Sequence, residues 1–195
     1  MELVLASKSP RRSQLLKEAG FDFTVAPSDF DESTVSLDHP AHGVEDLALG
    51  KARESYGRLP SITKLNSVVL GADTVVVCDG KVLLKPTDAD DAKRMLHELS
   101  GKVHQVYTGI AFVSARDVYT SVVKTDVEFY DLTDEEIDEY VKSGEPLDKA
   151  GAYGIQGRGS TLVKRIDGDF YSVVGLPLAP VVRYLRECGV KQKRS

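Results

Sequence analysis

Leu3-Val4-Leu5-Ala6-Ser7-Lys8-Ser9-Pro10-Arg11-Arg12 is the stretch on which the reading of the fold turns. Four apolar residues in a row predict a short buried strand. Ser9 is a good N-cap, and Pro10 suits the first helical position, where its missing N–H costs nothing. A helix follows through Leu15, Leu16 and Ala19, and Gly20 ends it.

Working outward, residues 21–26 read as a second strand and 44–59 as a helix, with Leu47, Ala48 and Ala52 on one side and Lys51 beside them. Residues 67–70 and 74–77 are strand-like, with a break expected at Gly71-Ala72-Asp73. Asp79-Gly80 predicts a hairpin turn into a strand over 82–84. Residues 88–99 form an amphipathic pattern closed by Gly101, and 106–113 and 118–129 alternate like antiparallel strands. Thr133 with Glu136 is a capping box, placing a helix over 133–142. A glycine-rich stretch over 148–159 precedes strands at 161–166 and 170–174 and a last helix over 176–188. Strands and helices mix without strict alternation. The expectation is an α/β fold with a mixed, twisted sheet flanked by helices and a cleft.

With 195 residues, 42% of them hydrophobic, the chain can bury a core as one α/β domain or as two lobes sharing one. Residues 1–190 are expected to form that domain, and 191–195 a disordered, solvated tail. No apolar run approaches the ~20 residues of a membrane span, and Met1-Glu2-Leu3 opens too acidic and short for a signal peptide. Two cysteines, Cys78 and Cys188, provide no disulfide framework, so a reducing cytoplasm is the default. The net charge of −5 argues against a nucleic-acid partner, because a backbone binder is usually basic as a whole. Basic residues cluster instead in a few short motifs, which suits a compact anionic ligand.

Four motifs carry chemistry. The helix start at Ser7-Lys8-Ser9-Pro10-Arg11-Arg12 combines outward-pointing N–H groups with two guanidinium forks matched to phosphate oxygens. Taken alone, those arginines could equally be solvated. Asp73, at the expected strand break, could activate a water or hold a magnesium ion, with Asp29, Asp31 and Glu32 as further oxygen donors. Lys85-Pro86 and Lys51 add cations, which a triphosphate of about four negative charges requires. In Glu145-Pro146-Leu147-Asp148-Lys149-Ala150-Gly151-Ala152-Tyr153-Gly154-Ile155-Gln156-Gly157, glycines permit backbone approach, and Gln156 offers the donor and acceptor that read an imide edge. No Walker loop or Gly-x-Gly-x-x-Gly occurs. His39 and His42 flank Pro40 and are expected in a loop, and His97 and His104 have no partner at metal spacing.

These motifs, together with Gly71-Ala72-Asp73-Thr74-Val75-Val76, Leu99-Ser100-Gly101, Thr108-Gly109 and Gly168-Asp169-Phe170-Tyr171-Ser172-Val173-Val174-Gly175-Leu176-Pro177, resemble the Maf-like nucleotide pyrophosphatases in order and spacing over nearly the whole chain. The resemblance implies a two-lobed fold related to inosine triphosphatases around a nucleotide cleft, a homodimer, and a divalent cation (Mg²⁺ or Mn²⁺). It implies cleavage of a nucleoside triphosphate between its α and β phosphates. The matching positions make Asp73 the proton acceptor, link Arg11, Thr74 and Gln156 to substrate choice, and line the phosphate site with Ser7, Arg12, Lys51 and Lys85. Glu32, with Asp73, is the candidate metal ligand. Gly-Ile-Gln-Gly is similar to the branch acting on dTTP and UTP. The alternatives are a 7-methyl-GTP or inosine triphosphate pyrophosphatase, a nucleotide-sensing module that does not hydrolyse, and a protein-interaction domain that uses the arginine motif for phosphopeptides.

Overall fold

A computed structural model describes residues 1–193. In chain order the elements are β1 (Glu2–Leu5), α1 (Pro10–Glu18), β2 (Phe23–Val25), α2 (Pro40–Arg58), α3 (Ser61–Asn66), β3 (Ser67–Cys78), β4 (Lys81–Leu83), α4 (Ala89–Leu99), β5 (Val103–Ser114), β6 (Val118–Phe129), α5 (Asp134–Lys142), β7 (Val163–Asp167), α6 (Phe170–Val174) and α7 (Leu178–Glu187). The strands form one mixed seven-stranded sheet of order β2-β1-β3-β5-β6-β7, with β4 beside β3. It is an α/β fold, as the mixed pattern predicts. Contacts divide it into two compact units: residues 1–73, 108–123 and 175 onward, and residues 74–107 and 124–174.

In the first unit β1 lies between two parallel neighbours, Leu3 opposite Phe23 on one side and Val68 on the other. A strand so placed is covered on both faces, which explains its unbroken apolar run: Leu3, Val4 and Leu5 are all buried. The core beside it is made of small side chains, Val4, Ala6, Ala48, Ala52, Val69, Ala111 and Val113. Small residues let α2 settle closely onto the sheet. A Cβ on Gly71 would lie 2.2 Å from the Ala48 carbonyl oxygen, and one on Gly109 would lie 2.3 Å from that of Val44.

That approach corrects the expected break at Gly71-Ala72-Asp73. β3 runs without interruption from Ser67 to Cys78. Gly71 is there because a helix crosses it: the missing side chain marks a close approach, not a break in the strand. The expected loop around His39 and His42 is corrected too. His39 is the N-cap of α2, and Pro40 occupies its first turn, where proline is tolerated.

The second unit is built on β3 and β4, which pair antiparallel through Val76 and Leu83 across the Asp79-Gly80 turn, both turn residues having positive φ. α4 turns Ala92, Met95, Leu96 and Leu99 inward, and α5 turns Ile137, Tyr140 and Val141 inward. The capping box of α5 is complete, with Thr133 Oγ1 accepting from the Glu136 N–H and Glu136 accepting from the Thr133 N–H. The expected strand over 170–174 is instead the short helix α6. Gly168 (φ 134°) ends β7. Asp169 then accepts from the Ser172 N–H, and the Ser172 hydroxyl closes back onto the Asp169 carbonyl. These local bonds outcompete a ladder for a β-branched run.

At the C-terminal end, Gln192 bridges to Phe21, and the Lys193 N–H donates to the Gly20 carbonyl at 2.7 Å. Within the tail expected over 191–195, Gln192 and Lys193 thus have backbone partners; Arg194 and Ser195 lie outside the described residues. Cys78 is buried and Cys188 half-buried, and burial pushes both thiols up. Among the described residues no helix is long and apolar enough to cross a membrane.

Candidate functional site

The N-terminus of α1 is built by serines. Ser9 Oγ caps the helix by accepting from the Arg12 N–H. Ser7, buried just before it, accepts from the Ser9 N–H at 3.1 Å and from Arg12 Nη1 at 3.2 Å. Arg12 Nε donates to the Gly175 carbonyl at 2.7 Å. The guanidinium is thus braced from two sides, so its direction is set in advance. Burial pulls its pKa down, Asp73 raises it, Arg11 lowers it and Glu32 raises it. It stays charged all the same. Those influences place Arg11, Arg12, Asp73 and Glu32 in one electrostatic neighbourhood.

Asp73 and Lys51 reach that neighbourhood through the close crossing of α2 over β3. Lys51 Nζ lies 2.9 Å from Asp73 Oδ1 and 3.0 Å from Glu32 Oε1. The Lys51 and Asp73 side chains are only 14% and 16% exposed, whereas Glu32 is 59% exposed. The ammonium therefore holds one enclosed carboxylate and one open to water. Glu32 is delivered by the turn Glu32–Thr34, capped by Asp31. Phe30 anchors the loop against Gly50, one residue from Lys51; a Cβ on Gly50 would sit 2.4 Å from the ring.

The three acids of that loop separate by role. Asp29 pairs with Arg58 at 3.2 Å. Asp31 accepts from the hydroxyl and N–H of Ser33, which hold its carboxyl below its ordinary value. Only Glu32 joins Asp73 on Lys51. Among the described residues, no group of three or more His, Cys, Asp or Glu side chains is placed to hold a metal.

Thr74 follows Asp73 in β3, so the two side chains leave the strand on opposite faces. It belongs to the second unit, as do Lys85 and Gln156. Lys85 is exposed after β4, and its segment is tied to the glycine-rich stretch by the Gly151 N–H donating to the Leu84 carbonyl at 3.1 Å. Gly151 (φ 68°) lies against the Val76 side chain. That stretch winds through three 3-10 turns, Glu145–Asp148, Ala150–Ala152 and Gly157–Thr161. Gln156 is exposed at the N-cap of the last, with no side-chain capping bond.

Sequence reasoning assigned no role to two residues that hold this stretch. Glu145 accepts from the Arg158 and Gly159 N–H groups and from the Tyr140 hydroxyl, each at 3.1 Å. Tyr140 Oη in turn accepts from the Gly154 N–H at 3.1 Å. These contacts, 5 to 14 residues apart, leave no periodic trace, so no local signal could have revealed them. Beneath, His104 is packed edge-on against Phe129 and Tyr153, with Nε2 2.7 Å from the Tyr153 hydroxyl. Burial lowers its pKa to about 4, against the charge of Asp126, so it is a neutral core residue.

The protein-family model described as Maf-like protein matches residues 2–188. A dTTP/UTP pyrophosphatase of Symbiobacterium thermophilum is 50% identical over 188 residues, covering 96% of this chain and 94% of its own. Two others bearing that name, from Bacillus cereus and Bacillus cytotoxicus, are 48% and 49% identical, with 95% of each chain covered. A match that runs from the first strand to the end of the last helix decides the matter: the chain belongs to the Maf-like protein family.

Proposed function

We propose that this chain hydrolyses dTTP and UTP to the nucleoside monophosphate and pyrophosphate. The observation that carries the reading is the gathering of Asp73 and Glu32 on Lys51 beside the braced Arg12, in a chain about half identical to dTTP/UTP pyrophosphatases from end to end. A base and several cations in one place suit attack by water on a polyphosphate. A phosphopeptide-binding domain would need the arginines but not the enclosed acid.

In this reading Asp73 takes the proton of a water as its oxygen bonds to the α-phosphorus. The α–β bridging bond breaks, and its electron pair leaves with pyrophosphate. Arg12, aimed by Ser7 and the Gly175 carbonyl, offsets charge on the phosphate oxygens together with Arg11 and Lys51. Lys85 adds a further cation. The donor set of two carboxylates fits a hard divalent ion that takes its remaining ligands from phosphate and water, so Asp73 and Glu32 would hold Mg²⁺ or Mn²⁺. Such an ion supplies charge neutralisation on the triphosphate.

The test is a panel of UTP, dTTP, CTP, inosine triphosphate and 7-methyl-GTP with pyrophosphate detection, run with Mg²⁺ and with chelator. Pyrophosphate from UTP and dTTP, abolished by chelator, is expected. Preference for either purine nucleotide would move the chain to another branch, and tight binding without product would make it a sensor. Gln156 is assigned to the base: its amide both donates and accepts, and a carboxylate cannot donate. Gln156→Glu is therefore expected to lower kcat/KM for UTP by about tenfold to a hundredfold. Unchanged UTP selectivity would remove Gln156 from that role.

A further inference from the structure

The turn Gly157–Thr161 has its cap supplied from an unexpected place. The residue at an N-cap ordinarily turns its own side chain back to accept from the second or third N–H of the turn. Gln156 holds that position, and its side chain makes no such bond. The second and third N–H groups, of Arg158 and Gly159, are instead taken by the carboxylate of Glu145, one oxygen each at 3.1 Å. Glu145 also accepts from Tyr140 Oη, which itself accepts from the Gly154 N–H. One carboxylate therefore fixes the backbone on both sides of Gln156, at Gly154 and at Arg158-Gly159. Gly157 between them has φ 63°, and a Cβ there would fall 2.8 Å from Glu145 Oε2, so the close approach requires glycine. The Lys149 ammonium holds the Glu145 backbone carbonyl at 2.6 Å, fixing the other end of the strut.

We propose that Glu145 is a positioning residue for substrate selection: it caps the turn in place of Gln156, leaving the Gln156 amide to read the base and holding the backbone that aims it. This rests on the reading that Gln156 recognises the pyrimidine. Three charge-assisted bonds from one carboxylate hold the segment more firmly than neutral ones would. A loop released from them would let Gln156 turn its amide into the cap, where it would be lost to the substrate.

The experiment compares kcat/KM for UTP and CTP in the full-length protein with Mg²⁺, for the wild type, Glu145→Gln, Gln156→Ala and the double variant. A ratio of two substrates is read on one folded population, so partial unfolding cancels. Glu145→Gln keeps the shape of the side chain but sets an NH₂ group against a backbone N–H. Its expected effect is a fall of about tenfold in the UTP/CTP ratio. In the Gln156→Ala background the same change should lower the ratio no further, because there is no amide left to aim. Amide hydrogen exchange at Arg158 and Gly159 should accelerate in Glu145→Gln. An unchanged ratio in Glu145→Gln, or losses that multiply in the double variant, would overturn the proposal while leaving the hydrolase reading intact. A wild type releasing no pyrophosphate from UTP would instead remove the hydrolase reading, and with it the basis for assigning Gln156 to the base.

Discussion

Asp73→Asn should lower kcat for pyrophosphate release by about 10²–10⁴-fold, the scale on which a positioned general base contributes. Asparagine fills the same volume and still offers an oxygen to Lys51 Nζ, now 2.9 Å from Asp73 Oδ1, so the fold should survive. What disappears is the charge. The amide cannot accept a proton from water, and it is a poor ligand for a hard cation. Arg12 also loses the largest attraction opposing the cost of its burial. The measurement is kcat at saturating UTP and Mg²⁺, with circular dichroism and Tm to show that the variant is folded. Near-normal turnover in a folded variant would show that Asp73 is not the base.

Gly71→Ala is expected to have the largest effect on stability. The new methyl would lie 2.2 Å from the Ala48 carbonyl oxygen and 2.9 Å from the Ala52 nitrogen, both backbone atoms of α2. No rotamer relieves a clash with a helix backbone, so α2 must lift from β3. Overpacking of this kind costs about 3 kcal/mol. For a chain of this size that is about 10 °C in Tm, to be read by thermal unfolding. Because Lys51 is carried on the lifted helix and Asp73 on the strand, activity should fall as well, even at temperatures where the variant is folded. Gly57→Ala is the control on the same helix. Gly57 is exposed with nothing within 4 Å of a Cβ, and alanine is the better helix former, so stability should hold or rise by up to about 1 kcal/mol. Equal behaviour of the two variants would contradict the close crossing.

The acidic loop shows how far sequence could reach. Asp29, Asp31 and Glu32 look alike as oxygen donors, and only the fold separates an ion pair with Arg58, a cap on Ser33 and a partner for Lys51. The glycine at 71 shows the opposite hazard, a signal read correctly as special and given the wrong cause. A side chain is missing there because another backbone comes close, and a single sequence does not say which one. Phe170–Val174 failed for a third reason. Its apolar, β-branched composition favours a strand, and two short hydrogen bonds between Asp169 and Ser172 overrule that preference.

By itself the sequence determined the elements whose cause is local: the β1-to-α1 junction with its Ser9 cap, the Asp79-Gly80 hairpin, the capping box of α5 and the family motifs. Each depends on residues within a few positions of one another, so the pattern is complete on the page. Only the tertiary structure decided that Lys51, Asp73 and Glu32 meet, and that Glu145 holds the turn beside Gln156. Those groupings join residues 11 to 41 positions apart, brought together by glycine-permitted close approach and buried charge, neither of which has a period.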